Sequence, residues 1–271
     1  MANLSPAYIA DLHDLVRAKR PLVQNITNFV AMTISANVLL ALGASPAMVH
    51  ADEEVEEFGQ FTDSLVINIG TLSGASIGGM KIAAATVAGL GKPWVLDPVA
   101  CGATTLRRTT AVDLLALKPA IVRGNAGEIM ALAGASGAAS KGVDSLAGSD
   151  AAIEAAKALA RSSGAVVAVT GTTDYVTDGA IVYAITGGHD VMPLSTAIGC
   201  ALSATVAAFA AIATPLEATV AALSAYAGAG AVAGERCPNG PGHFPAELCD
   251  ALYTLNAETI AARSTVTILA R

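Results

Sequence analysis

Asp97 is followed directly by Pro98, and Glu128 closes the run Arg123-Gly124-Asn125-Ala126-Gly127-Glu128. Proline confines the residue before it to extended backbone, so the Asp97 carboxylate is aimed off the end of whatever strand carries it. Two carboxylates beside a phosphate-binding region suit Mg²⁺, which keeps most of its waters and takes few protein ligands. The same pair also reads structurally, with Asp97 capping a turn and Glu128 sitting at the positive end of a helix. Spacing alone leaves both readings open. Arg123 emerges from a nearly uncharged stretch. A guanidinium there either grips a pair of phosphate oxygens or pairs with a nearby carboxylate. Thr170-Gly171-Thr172 offers hydroxyls and backbone N–H groups to an anion, a weak signal because such turns are common.

The sharpest local feature is Leu194-Ser195-Thr196-Ala197-Ile198-Gly199-Cys200-Ala201, where a polar turn runs straight into an almost charge-free apolar stretch. Helix N-termini present unpaired N–H groups and a positive dipole end, and so attract anions. Cys200 falls in the predicted first turn, where a thiol pKa is expected to be lowered. The alternative is a small buried thiol that packs the helix. The remaining candidates are plainer. His13, His50, His189 and His243 do not pair at metal-ligand spacing, and His13 is expected to be solvated on an N-terminal helix. Met48 ends an apolar run and reads first as core. Gly240–Phe244 is a tight turn. No segment has the Gly-rich pattern ending in Gly-Lys-Ser/Thr, so any phosphate site is of another design.

These residues need elements to hold them. The runs Leu22–Ile26, Ala47–His50, Leu65–Ile69, Trp94–Asp97, Ala120–Arg123 and Ala165–Thr170 are continuously apolar, as strands covered on both faces should be. Between them, Val30–Leu42, Asp52–Phe58, Ala75–Gly89, Ala126–Ala133 and Ala151–Ser163 read as helices. That rhythm predicts an α/β fold with a mostly parallel central sheet and helices on both faces. Tyr175–Val176 and Ala180–Thr186 form a predicted hairpin around Asp178-Gly179. Gly134–Ser149 reads as a surface loop, Ser5 as the cap of the first helix, and the chain from Ala201 onward as helical. No repeat or long linker divides the 271 residues, which predicts a single domain. In such a sheet ligands bind at the C-terminal strand ends. Asn28, Gly70, Asp97, Arg123 and Thr170 all fall at or just beyond the ends of apolar runs.

The formal net charge is −7, and no basic run occurs, which argues against nucleic acid and anionic membranes as partners. Only 14% of residues are charged and the mean hydropathy is +0.58. The longest charge-poor stretch, Val191–Gly234, is interrupted only by Glu217. It is dominated by small residues, cut by Pro193 and Pro215, and lacks flanking cations, so it predicts a pair of buried helices rather than a membrane span. The first twenty residues lack the apolar core of a signal peptide, which predicts a cytoplasmic protein. The four scattered cysteines predict neither a disulfide framework nor a zinc site.

Read in order, Ile26–Met48, Asp97–Thr104 (DPVACGAT), Arg123–Gly134 (RGNAGEIMALAG), Val169–Gly179 (VTGTTDYVTDG), Gly199–Ala204 (GCALSA) and Gly240–Phe244 (GPGHF) resemble the signatures of the hydroxyethylthiazole kinase family. The resemblance implies a ribokinase-like fold and a homotrimer with active sites between subunits. It implies transfer of the γ-phosphoryl group of ATP, with Mg²⁺, to a thiazole alcohol in thiamine salvage. By the same resemblance Arg123, Thr170 and Gly171 bind ATP, Asp97 and Glu128 hold the metal, Asn28, Met48 and Ala197 line the substrate pocket, and Cys200 stands where sugar kinases of the superfamily carry a catalytic Asp. One departure is visible: Ala197-Ile198 stands where the family usually has Gly-Thr. It keeps open a same-fold kinase for another small alcohol, a nucleotide-dependent NAD(P)H-hydrate dehydratase, and a non-catalytic thiazole-binding protein.

Overall fold

The computed structural model describes residues 4–137 and 148–270. Nine strands form one sheet. They are β1 (Leu22–Ile26), β2 (Ser45–Ala47), β3 (Ser64–Asn68), β4 (Trp94–Asp97), β5 (Ile121–Asn125), β6 (Val166–Thr170), β7 (Thr173–Thr177), β8 (Val182–Gly187) and β9 (Ser264–Ala270). The spatial order is β2-β1-β3-β4-β5-β6-β7-β8-β9; pairings are parallel from β2 through β6 and antiparallel from β6 to β9. Because β2 and β3 leave β1 on opposite sides, β1 and β3 flank the point where the winding reverses, the usual place for a ligand crevice.

One face of the sheet is covered by α1 (Pro6–Lys19), α2 (Met32–Leu42), α8 (Ile198–Ala210), α9 (Pro215–Glu235), α10 (Phe244–Tyr253) and α11 (Ala257–Arg263). The other carries α3 (Val55–Gly59), α4 (Gly74–Gly89), α5 (Thr105–Leu115), α6 (Ala126–Ala135) and α7 (Gly148–Ser163). The strands between them are almost wholly buried, which is why their sequences read as mostly apolar runs. The Val191–Gly234 stretch does become two buried helices. Eleven of the thirteen residues of α8 are buried, and 83% of the most apolar window of α9 lies inside the fold. A helix that is apolar all round is stable only when surrounded.

Several expectations are corrected. The strand expected at Ala47–His50 is instead Ser45–Ala47: a three-residue edge strand pairing only with β1, where Pro46 is tolerated because one of its sides needs no ladder partner. The helix expected from Asp52 begins at Val55, leaving the acidic run before it in turns. The first arm of the hairpin is longer than predicted and the second begins only at Val182, after a turn in which Asp178 Oδ1 accepts from the N–H groups of Ala180 and Ile181. The last third is not all helix, since β9 closes the sheet as an edge strand beside β8. α5, absent from the predicted helices, is nucleated by Thr104, whose hydroxyl accepts from Arg107 N–H. Of the loop expected at 134–149, residues 138–147 lie outside those described; α6 runs on to Ala135 and α7 begins at Gly148.

His13, expected in solvent, is 1% exposed. It faces α10, with Nε2 3.2 Å from the Leu252 carbonyl. Burial lowers its pKa to about 4, helped by the Arg17 charge and opposed by Asp14. The folded pKa lies below the unfolded one, so the unfolded chain binds the extra proton as pH falls from about 6.5 towards 4, and stability is lost over that window. His13→Gln removes this proton uptake. Across a denaturant series from pH 7.5 to 4, the variant should gain about 2–3 kcal/mol relative to the wild type; a pH-independent difference would place His13 in solvent.

Candidate active site

Strand ends and one helix start converge at the C-terminal edge of the sheet. Asp97, the last residue of β4, is completely buried. Its Oδ2 accepts from Asn68 Nδ2 at 2.7 Å and from Ser203 Oγ at 2.8 Å, and Arg123 Nη1 stands 3.8 Å away. Its Oδ1 has no hydrogen-bond partner among the described residues. Burial lifts the carboxyl to about 6, with Arg123 and the two hydrogen bonds opposing and the Glu128 charge adding to the rise. It is still mostly ionised at neutral pH. Of the alternatives the spacing left open, Asp97 is no turn cap; it is the centre of a buried polar network.

Asn68 and Ser203 complete that network, and sequence reasoning missed both. Asn68 is the register partner of Asp97 across β3 and β4. It interrupts an otherwise apolar run, and a polar side chain buried in such a strand needs a partner; that was its signal. Ser203 lies three residues after Cys200, on the same face of α8. Asn68 Oδ1 accepts from Asn28 Nδ2 and from Gly70 N–H, both at 2.9 Å. Asn28 Nδ2 also reaches Cys200 Sγ at 3.3 Å, while its Oδ1 accepts from the N–H groups of Val30 and Ala31. Asn28, Asn68, Asp97, Ser203 and Cys200 are therefore one connected group.

Glu128 is at N3 of α6 and forms a capping box with Asn125. Oε2 accepts from Asn125 N–H at 2.8 Å and Oε1 from Ala100 N–H at 2.9 Å. Its structural role is thus realised in full, and each oxygen keeps further lone-pair capacity. Among the described residues no group of three His, Cys, Asp or Glu is arranged to hold a metal ion. Two carboxylates, one with an orphaned buried oxygen, nevertheless fit Mg²⁺, which binds through one or two carboxylates and retained waters.

Arg123, on β5, donates from Nη2 to Thr170 Oγ1 at 2.6 Å and from Nη1 to the Gly199 carbonyl at 3.0 Å. A Cβ at position 199 would lie 3.0 Å from Nη1, so glycine there leaves room for the guanidinium. Gly171 N–H donates to Asp174 Oδ1 at 2.9 Å. Burial lifts Asp174 to about 6 against that bond and the Arg123 charge. Arg123, Thr170, Gly171, Asp174, Ala197, Ile198 and Gly199 line an open cleft of about 520 Å³ that continues between the end of β8 and α9, past His189, Leu223 and Tyr226. The size suits a small organic ligand. Tyr226 is buried, and its hydroxyl donates to the Ile198 carbonyl at 2.8 Å, tying α9 to the start of α8. Met48 is not among the cleft residues. It is half-buried beyond the end of β2.

Cys200 occupies the first turn of α8 as expected, but its thiol pKa is raised, not lowered. Burial is the main cause and the nearby Asp97 charge adds to it; Asn28, Asn68 and Arg123 act the other way without prevailing. Desolvation of a thiolate outweighs the modest field of a helix end. Ala197, the N-cap of α8, sits at φ 62°, in the left-handed region. Glycine adopts that region at little cost, whereas a Cβ there costs about 1–2 kcal/mol. The Ile198 side chain turns into the core, being only 5% exposed.

A mostly parallel sheet with a buried carboxylate network at one strand end, an arginine beside a helix start and a ligand-sized cleft has the form of a small-molecule site at a sheet edge. The model of the hydroxyethylthiazole kinase family matches residues 13–258. Hydroxyethylthiazole kinases of Granulibacter bethesdensis and Rhizobium leguminosarum bv. trifolii are 52% and 53% identical to this chain, covering 94% and 93% of it and 94% of each relative. A hydroxyethylthiazole kinase structure from Pyrococcus horikoshii superposes with a TM-score of 0.90 at 41% identity, covering 97% of this chain and 99% of that one. Pyridoxal kinase from Staphylococcus aureus, in complex with pyridoxal, shares the fold at a TM-score of 0.66 and 17% identity, over 93% of this chain and 99% of that one. The chain belongs to the hydroxyethylthiazole kinase family, a family of phosphotransferases.

Relief of the left-handed alanine is directly measurable. Ala197→Gly should raise the unfolding free energy by about 1 kcal/mol, the lost strain outweighing the extra freedom of unfolded glycine. A destabilised variant in chemical denaturation would show that Ala197 is not held in that conformation.

Proposed function

We propose that this chain transfers the γ-phosphoryl group of ATP to the hydroxyl of hydroxyethylthiazole, with Mg²⁺, in the thiamine pathway. It does so as one kinase domain, residues 1–271, in the cytoplasm. The observation that carries the reading is the meeting of Asp97, Arg123 and the start of α8 at one sheet edge. It is joined by half-identity to relatives bearing that name over nearly the whole chain.

Arg123 and Thr170 hold the nucleotide phosphates, and Gly171 lets them approach the backbone. The guanidinium already rests on Thr170 Oγ1 and Gly199 O at the cleft, so only a small swing is needed to reach a phosphate oxygen. Asp97 and Glu128 would hold Mg²⁺ through its waters. When bound, that ion neutralises charge on the phosphate oxygens. The backbone N–H groups of the first turn of α8 face the group being transferred, a positive helix end meeting developing negative charge. Phosphoryl transfer of this kind depends on alignment and charge stabilisation more than on covalent chemistry.

Asn28, Met48 and Ala197 line the acceptor side, with Cys200 beside the reacting hydroxyl. A thiol with a raised pKa is neutral at neutral pH. That favours Cys200 as a group that shapes and orients, rather than a resting thiolate base. The exposed Phe29 and Val30, next to Asn28, are 74% and 59% accessible. Apolar surface at the edge of the site suits cover by a neighbouring subunit, as in the homotrimer that the family resemblance implies.

Incubation with Mg-ATP and hydroxyethylthiazole, read by mass spectrometry, should yield the thiazole phosphate and ADP in equal amounts. A panel holding a pyrimidine alcohol, pyridoxal and hydrated nicotinamide cofactor tests the rivals. Turnover of one of those and none of the thiazole would reassign the acceptor. Thiazole binding without ATP consumption would make this a binding protein.

A further inference from the structure

Arg107 is placed against the local electrostatics. It is the third residue of α5, and a cation in a first helical turn faces the positive end of the dipole. Among the described residues it forms no ion pair with a carboxylate. Its guanidinium is spent instead on three main-chain carbonyls. Nη1 donates to Ile69 O at 2.7 Å and Val99 O at 3.0 Å, and Nη2 to Gly70 O at 2.7 Å. A planar fork can span several acceptors at fixed angles, which a lysine ammonium cannot do.

Those three peptides all border the site. Ile69 N–H and Val99 N–H both donate to the Asp97 carbonyl, at 3.2 and 2.9 Å, so the fork ties the chain just past β3 to the chain just past β4, around the peptide of the buried carboxylate. The next residue after Val99, Ala100, gives its N–H to Glu128 Oε1. Gly70 packs so closely on Asn28 that a Cβ would lie 2.7 Å from Asn28 Nδ2, the atom that reaches Cys200. One side chain thus fixes the spacing between the carboxylates and the acceptor side.

We propose that Arg107 is a positioning residue for phosphoryl transfer. It holds the β3 and β4 ends so that Asp97, Glu128 and the Asn28–Cys200 pair stay in register. This rests on the kinase reading given above. Misplacing reacting groups by about 1 Å can cost about 100-fold in rate, so loss of the fork appears in kcat rather than in nucleotide affinity.

The test compares Arg107→Met, Arg107→Lys and a control, Arg17→Met. Arg17 likewise spends its guanidinium on main-chain carbonyls, those of Ala41, Leu252 and Tyr253, all reached from Nη2 and away from the site. Each variant is assayed well below its melting temperature. Arg107→Met should lose about 10- to 100-fold in kcat with its KM for ATP within about threefold, Arg107→Lys should lose nearly as much while melting close to wild type, and Arg17→Met should lose stability only. Wild-type kcat in Arg107→Lys, or an equal kcat loss in Arg17→Met, overturns the proposal. Cys200 alkylation, followed on its own peptide by mass spectrometry, separates this claim from the kinase reading. If the wild type does not phosphorylate the thiazole, the kinase reading fails. Arg107 is then judged by alkylation alone, which should change severalfold in Arg107→Lys but not in Arg17→Met; an unchanged rate overturns it.

Discussion

A carboxylate with no access to water costs several kcal/mol unless charge and hydrogen bonds compensate it, and Asp97 is such a group. Everything at the C-terminal edge of the sheet answers to that demand. Asn68 from the neighbouring strand and Ser203 from α8 each give one hydrogen bond to Oδ2, and Arg123 supplies the opposing charge. The compensation is incomplete. Among the described residues Oδ1 is left without a donor, and the carboxyl pKa remains raised. A buried network left one partner short is unstable as pure architecture, and that shortfall is what the proposed Mg²⁺ would make good.

The same demand explains why α8 is so tightly enclosed. Ser203 reaches Asp97 only if α8 lies directly on the strand ends, and that proximity requires the small side chains that fill α8 and α9. Gly199 lets the Arg123 guanidinium lie under the first turn, and the Tyr226 hydroxyl fixes the Ile198 carbonyl from behind. Ala197 bears the consequence, a non-glycine residue held in the left-handed region where the chain turns into the helix. Cys200 is then close enough to Asp97 for the carboxylate to disfavour its thiolate. Burial, charge and helix placement are one coupled arrangement.

Much of this was legible from the sequence. Apolar runs ending in Asp97, Arg123 and Thr170 located the sheet edge where these side chains gather, because parallel strands covered on both faces have distinctive patterns and deliver polar residues at their ends. The buried α8–α9 pair was readable from its small-residue composition. What escaped depended on three-dimensional partners. Asn68 and Ser203 gain meaning only when β3, β4 and α8 are side by side. His13 is a polar residue on an amphipathic helix whose burial depends on where α10 docks. β9 was lost because an edge strand at the end of the chain is stabilised by β8, far away in sequence. The direction of the Cys200 shift was misread because helix position is visible in sequence and desolvation is not.

In the proposed mechanism the charge of Asp97, held in place by this network, supports phosphoryl transfer. Asp97→Asn preserves shape and removes the charge, so the most direct measurement is its turnover beside its affinity for ATP without metal. The account predicts a fall in kcat of about 100-fold or more, as for loss of a preorganised electrostatic group, with metal-free ATP binding retained within a few-fold. Turnover within a few-fold of wild type, at unchanged Mg²⁺ dependence, would contradict it.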